Sequence, residues 1–292
     1  MNKNSLWFAL CALSMSVSGY SASSSPIMED LSTMLGEMED FLRPAPKEEA
    51  TPMCECPCRE VFSSYFMVGG DYTRVHFKPK GTPSFTGNLG GVQGMYEYRP
   101  ENFIYAAGKF DWKEGKMHAS PDTRTFRFMD GQERLGWTFA SGEGGFLLTF
   151  YSGLGFRYVD QKLTTPIPHS SVRFRYNEFY VPLGFETDIE MSSWFTLGFD
   201  FTWMPQIFPT VTINPLKGAR WVINSTVNNY YAAMPLEFSL TCSKRFQVIV
   251  TPFYEYWRDG SSTAETSTGI FLGLPANTYN YYGVDLNFRL SF

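Results

Sequence analysis

The last twelve residues, Tyr281 to Phe292, constrain this chain most. Tyr282, Val284, Leu286, Phe288, Leu290 and Phe292 form one parity, apolar throughout. Tyr281, Gly283, Asp285, Asn287, Arg289 and Ser291 form the other, mostly small, polar or charged. Successive side chains of a strand point to opposite faces, so this spacing predicts a strand with one apolar and one wet side. The same alternation recurs upstream. Phe146, Leu148, Phe150, Leu154, Phe156 and Tyr158 oppose Thr149, Tyr151, Gly153, Gly155 and Arg157, and Phe195, Leu197, Phe199, Phe201 and Trp203 oppose Thr196, Gly198, Asp200 and Thr202.

From about residue 60 the chain reads as strands only, in roughly ten segments: 60–76, 88–99, 102–113, 124–139, 146–160, 172–188, 194–204, 226–241, 246–258 and 279–292. Their connections alternate in length. The stretches at 77–87, 114–123, 161–171, 205–225 and 259–278 are long, and those at 100–101, 140–145, 189–193 and 242–245 are short. Spanning β-barrels have an even strand number, long loops at one end and short turns at the other. Trp112, Trp203 and Trp257 fall by one expected edge and Trp137 and Trp194 by the other, where indole rings favour membrane–water interfaces. Pro182, Pro235 and Pro252 fall inside expected strands, where a closed sheet has no free edge for a missing N–H. Bulges there would reconcile them, above all at Pro252.

The first residues read as a secretory signal, 1–22, with Lys3 before the apolar run Leu6–Val17. Residues 23–58 read as an extension. Ile27, Leu31, Met34, Leu35, Met38, Phe41 and Leu42 make one helical stripe, begun by Ser25-Pro26 and ended by Arg43-Pro44. The chain is thus expected to be exported, with residues 59–292 forming a barrel.

A net charge of −5 argues against a nucleic-acid partner. No nucleophile elbow and no phosphate-cradling glycine loop is present, so neither a catalytic residue nor a cofactor is assigned. The run Cys54, Cys56 and Cys58 sits before the first strand, and Cys242 lies at a short turn expected on the same side. Neighbours within the run are too close to pair comfortably, so we expect one bridge from Cys242 to the run, the other thiols linking neighbouring molecules. A zinc site from the same thiols departs from the usual C-x₂₋₄-C pairs. The inward parity carries Lys109, Asp111, Arg134, Arg157, Glu178, Glu186, Asp200, Glu237, Asp285 and Arg289. With both signs mixed they either line a pore or fill it with ion pairs. Barrels of about eight strands are filled and those of 16–18 hold channels, so ten favours a narrow or closed lumen.

The amphipathic closing strand, ending on Phe292, resembles that of Gram-negative outer-membrane β-barrels. The resemblance implies a transmembrane antiparallel up-and-down barrel of about ten strands with a short N-terminal helical extension. It also implies outer-membrane lipid around the wall, and both the extension and the C-terminus in the periplasm. The strand from Tyr282 to Phe292 would then be the signal read by the barrel-assembly machinery. Cysteine usage is similar to that of chlamydial-type porins, which form disulfide-linked envelopes. The expected role is a monomeric structural or porin-like barrel with limited passive permeation of small solutes. A surface adhesin using the loops at 205–225 and 259–278 is the rival. A rim protease of the omptin type is a third reading, resting on His76, His118 and His169 near Asp71, Asp122 and Asp160. No local omptin pattern can be laid over these residues.

Overall fold

In a computed structural model the described residues are 62–292, without 142–144, 166–169, 215–219, 242 and 263–272. The expected signal, the helix, the run Cys54–Cys58, His169 and Cys242 lie outside them. The strands are β1 (Ser64–Pro79), β2 (Phe85–Tyr98), β3 (Ile104–Ala119), β4 (Asp122–Ala140), β5 (Phe146–Thr165), β6 (Ser170–Tyr180) and β7 (Leu183–Ser192). They continue with β8 (Phe195–Trp203), β9 (Gln206–Asn214), β10 (Arg220–Val222), β11 (Tyr230–Ala233), β12 (Leu236–Ser239), β13 (Phe246–Asp259) and β14 (Asn277–Ser291). All pairings are antiparallel, and β1 pairs both β2 and β14, so the sheet closes. The result is a ten-stave barrel. Stave six is β6 with β7, stave seven β8 with β9, and stave eight β10 with β11 and β12.

Three expected long loops are largely strand. β3 runs to Ala119 and β4 starts at Asp122, β5 runs to Thr165, and β1 to Pro79. The stretch 205–225 carries the β9–β10 hairpin, with Trp221↔Val211 in register. The alternation Thr210, Val211, Thr212, Ile213 marks that strand, but Pro205 and Pro209 disguise it as loop. A bulge sits where the pairings Asn177↔Thr210 and Phe179↔Ile207 slip by one residue, with Phe208 at φ 49°.

The prolines interrupt single hydrogen bonds rather than the register. Proline lacks the N–H but keeps its C=O. Val181 N–H donates to the Pro205 carbonyl at 3.1 Å, Gly198 N–H to Pro235 at 2.7 Å and Met234 N–H to Pro252 at 3.0 Å. No bulge forms at Pro252 between β13 and β14, whose register runs unbroken from Phe246↔Leu290 to Asp259↔Asn277. The cost falls on the facing stave, where β11 ends at Ala233 and β12 begins at Leu236.

The two faces exchange polarity part-way along each long stave. On β1 the outward parity reads Phe66, Val68, Gly70, Tyr72 and then Arg74, His76, Lys78, while the inward one reads Asp71, Thr73 and then Val75, Phe77. On β4 the outward side passes from Leu135 and Met129 to Arg127 and Thr125, and the inward side from Arg134 and Asp130 to Phe128 and Phe126. β14 behaves likewise, from Val284 and Tyr282 to Asn280 outside and from Asp285 to Tyr281 and Tyr279 inside. Toward the chain termini, then, the wall is apolar outside and polar inside. Toward the β3–β4 turn it is polar outside and packed on an apolar core within. Val75, Phe77, Phe126, Trp221, Trp257 and Tyr279 belong to that core.

Candidate functional site: the filled lumen

All ten inward residues expected from the alternation point into the barrel, and ion pairs link most of them. Arg134 Nη1 lies 3.3 Å from Asp200 Oδ2 and 3.9 Å from Glu186 Oε2. The Tyr151 hydroxyl donates to the other oxygen of Asp200 at 2.6 Å. Arg289 Nη1 donates to Glu237 Oε2 at 2.7 Å. Lys109 lies over the Tyr231 ring, 4.9 Å from its centroid. Asp111 holds Lys113 at 2.9 Å, and Asp285 shares a small cavity with Lys109 and Lys113. Arg157 pairs with Asp130 at 2.9 Å and Glu255 at 2.5 Å and stacks 3.7 Å over Trp257. Glu178, fully buried, pairs in register with Arg157.

The sequence reading missed the residues that complete this network. Arg99, just past β2, reaches Asp188 at 2.5 Å, Glu186 at 3.2 Å and the Thr149 hydroxyl at 2.8 Å. Lys113 bridges Asp71 at 3.1 Å and Asp111. Lys113, Asp130 and Asp188 share the inward parity of residues already named on their own strands, so pairing each acid with a base across staves would have found them; Glu255 lies on β13, for which no inward residue is expected from the alternation. Arg99 sits in a turn and carries no such signal. Buried charges are stabilised by pairing, and Arg99, Lys113, Arg134, Arg157 and Arg289 each have an acid within 3.3 Å, whereas both carboxylate oxygens of Glu178 have no hydrogen-bond partner among the described residues.

Above the ionic layers the aromatic core shuts the barrel. Trp221 and Trp257 are completely buried. Trp257 was expected at an interface; its inward parity on β13 places it in this core instead. Arg124 donates to Gln161 Oε1 at 2.5 Å, and Gln161 donates to the Tyr279 hydroxyl at 2.7 Å. Among the described residues the lumen keeps voids of about 110, 80 and 20 Å³. The smallest suits about one water molecule. The largest lies at the terminal mouth, between Tyr65, Arg99, Asp188 and Arg289.

Among the described residues no hydrogen bond or ion pair joins His76 or His118 to Asp71, Asp122 or Asp160. His76 and His118 lie on the outer wall, each paired in register with Thr86, and His118 Nδ1 is 3.3 Å from the Thr123 hydroxyl. Asp71 points inward and accepts from Thr73 at 2.6 Å. Asp160 is held by Arg173.

No family model matches the sequence, and no curated protein is similar to it. Solved structures are. The outer membrane protease OmpT of Escherichia coli superposes with a TM-score of 0.52 at 10 % identity, covering 78 % of this chain and 96 % of that one. The fold is that of an outer-membrane β-barrel. The translocator domain of the autotransporter NalP from Neisseria meningitidis is similar at TM-score 0.41, with 9 % identity over 91 % of this chain and 95 % of that one. Neisserial surface protein A gives 0.34 and 10 % over 78 % and 97 %. At such identities the likeness is one of fold. For an outer-membrane barrel, the apolar outer band is the surface that faces hydrocarbon.

Proposed function

We propose that this protein is a closed structural barrel of the bacterial outer membrane. Its N-terminal extension and C-terminus would lie in the periplasm, and its polar-walled half would project outward from the membrane. The filled lumen carries the reading. Ion pairs occupy the interior at membrane depth, and an aromatic core closes the projecting half, so a hydrated solute has no continuous path. Single-channel recording of refolded protein in planar bilayers tests this. Silence is expected, and reproducible ohmic steps would restore the porin reading. The structural role extends to the thiols of Cys54, Cys56, Cys58 and Cys242, which would tie the barrel into the envelope. Envelope fractions run without reductant should then show a ladder that collapses with dithiothreitol, and monomer alone would remove this part.

A second reading, a surface binding protein, is favoured by strand length. β4 and β5 are 19 and 20 residues long, about twice what a tilted strand needs to cross a bilayer. The excess raises the β9–β10 hairpin on a rigid collar; the other loop of this reading includes residues 263–272, outside the described residues. Binding of the refolded barrel to host-cell surfaces, lost on replacing residues 263–272 with a short glycine–serine turn, would support it.

A further inference from the structure

At mid-height of the apolar band the wall has a feature the barrel itself does not require. Gly94 on β2, Gly108 on β3 and Gly131 on β4 share the outward parity, joined by the pairings Gly94↔Phe110, Tyr96↔Gly108 and Phe110↔Gly131. Glycine inside a strand costs backbone entropy and packs nothing, unless another backbone or a ligand must come close. A Cβ added at Gly108 or Gly131 would meet nothing within 4 Å, and at Gly94 only the Met67 carbonyl at 3.8 Å. None of the three has positive φ. The need for glycine therefore comes from outside the barrel. Together they floor an open groove of about 570 Å³, rimmed by Phe66, Tyr96, Phe110, Leu154, Phe156 and Phe179.

A second observation falls in the same groove. Glu133 on β4 points outward, exposed, between Leu135 and Gly131, and pairs in register with Gly108 and Leu154. Among the described residues no hydrogen bond or ion pair reaches its carboxylate. An ionisable group facing hydrocarbon is expensive and points to a partner. That partner must sit within the membrane, approach closely and donate a hydrogen bond. A second copy of this chain meets all three needs. Tyr96, also exposed, lies across Gly108 from Glu133 in one row of the sheet, Tyr96↔Gly108↔Glu133. Knob and hollow, donor and acceptor thus occur on one patch, as a two-fold contact demands. Small residues that let backbones approach are the usual seam of contacts within lipid.

We propose that two copies pack through this groove, Gly108 near the two-fold axis, with the Tyr96 hydroxyl of each donating to the Glu133 carboxylate of its neighbour. This revises the expectation of a monomer and rests on the membrane location proposed above. Sedimentation equilibrium in density-matched micelles tests it, under reductant so that thiol links do not contribute. Wild type should be dimeric. Tyr96→Phe, Glu133→Leu and Gly108→Leu should each weaken association at least about tenfold, and Met234→Ala, on a distant stave, should not. Glu133→Leu should also stabilise the monomer against urea, because a charge leaves the hydrocarbon face. Wild type that stays monomeric at every protein-to-micelle ratio overturns the proposal. So does a dimer untouched by all three groove variants, whose folding heat-dependent gel mobility verifies. Failure of the membrane reading shows separately, as protein that does not float with lipid vesicles.

Discussion

Placing an arginine at three depths of one strand tests the outward face directly. The outward row of β14 descends from Tyr282 through Val284, Leu286, Phe288 and Leu290 to Phe292, so Leu286 lies near the middle of the band. Its register neighbours are Gly70, which has no side chain to shield a charge, and Val250. Leu286 is 48 % exposed, so an arginine there meets hydrocarbon rather than protein. On a lipid-facing barrel wall that costs roughly 2–4 kcal/mol at mid-depth and about 0–1 near the interface. The larger figure corresponds to a fall of roughly 30- to 700-fold in the folding equilibrium. Leu290→Arg, closer to the edge, should cost less than Leu286→Arg. Asn280→Arg, beyond the band beside His76, should be nearly neutral. The assay is reversible urea titration of protein inserted into short-chain lipid vesicles, read by tryptophan fluorescence and gel mobility. A flat profile, all three variants within about 0.5 kcal/mol, is what a water-facing wall would give. That result would refute the assignment of faces and the membrane reading with it.

Three further substitutions probe the interior. Arg134→Ala leaves Asp200 without its cation and Glu186 with Arg99 alone, and should cost about 3–5 kcal/mol in the same titration, whereas exposed Lys116→Ala should change it by under about 0.5. Asp285→Arg would place a third cation beside Lys109 and Lys113 in a nearly filled space, so refolding yield should collapse, although alternation alone makes this position look tolerant. Trp257→Ala removes both a large core side chain and the surface covering Arg157, and should cost about 3–5 kcal/mol. Comparable stability of that variant and wild type would mean that the aromatic core does not hold the projecting half together.

Much of the barrel was legible because its physics is local. A period of two needs only neighbouring residues, so β5, β8 and β14 and the parity of the ten inward charges could be read directly. What was not legible depends on partners distant in sequence. Whether Pro252 forces a bulge is decided by the stave it faces, where Met234 donates to its carbonyl. Arg99 becomes part of the lumen only because its side chain crosses to Asp188, 89 positions away. The glycines at 94, 108 and 131 look like ordinary relief of crowding until the register sets them side by side around Glu133.

The polarity exchange along the staves is the one long-range fact that the sequence does contain in local form. A strand crossing hydrocarbon must be apolar outside, and its inner face can then be polar, because most of the charges there have a partner of opposite sign. Once the strand emerges, the outer face meets water and loses its reason to be apolar. The staves still need a driving force to stay closed, and the inner face is the remaining place to bury apolar surface. The hydrophobic set must therefore change parity at the membrane boundary with no change in strand geometry. On β3 the change falls between Trp112, outward, and Met117, inward. On β4 it falls between Met129, outward, and Phe128, inward, which β3 faces through Trp112↔Met129 and Lys113↔Phe128. Adjacent staves switching at paired residues define a common level around the wall, as a flat bilayer surface requires. A soluble barrel has water outside along its whole length and no cause to switch.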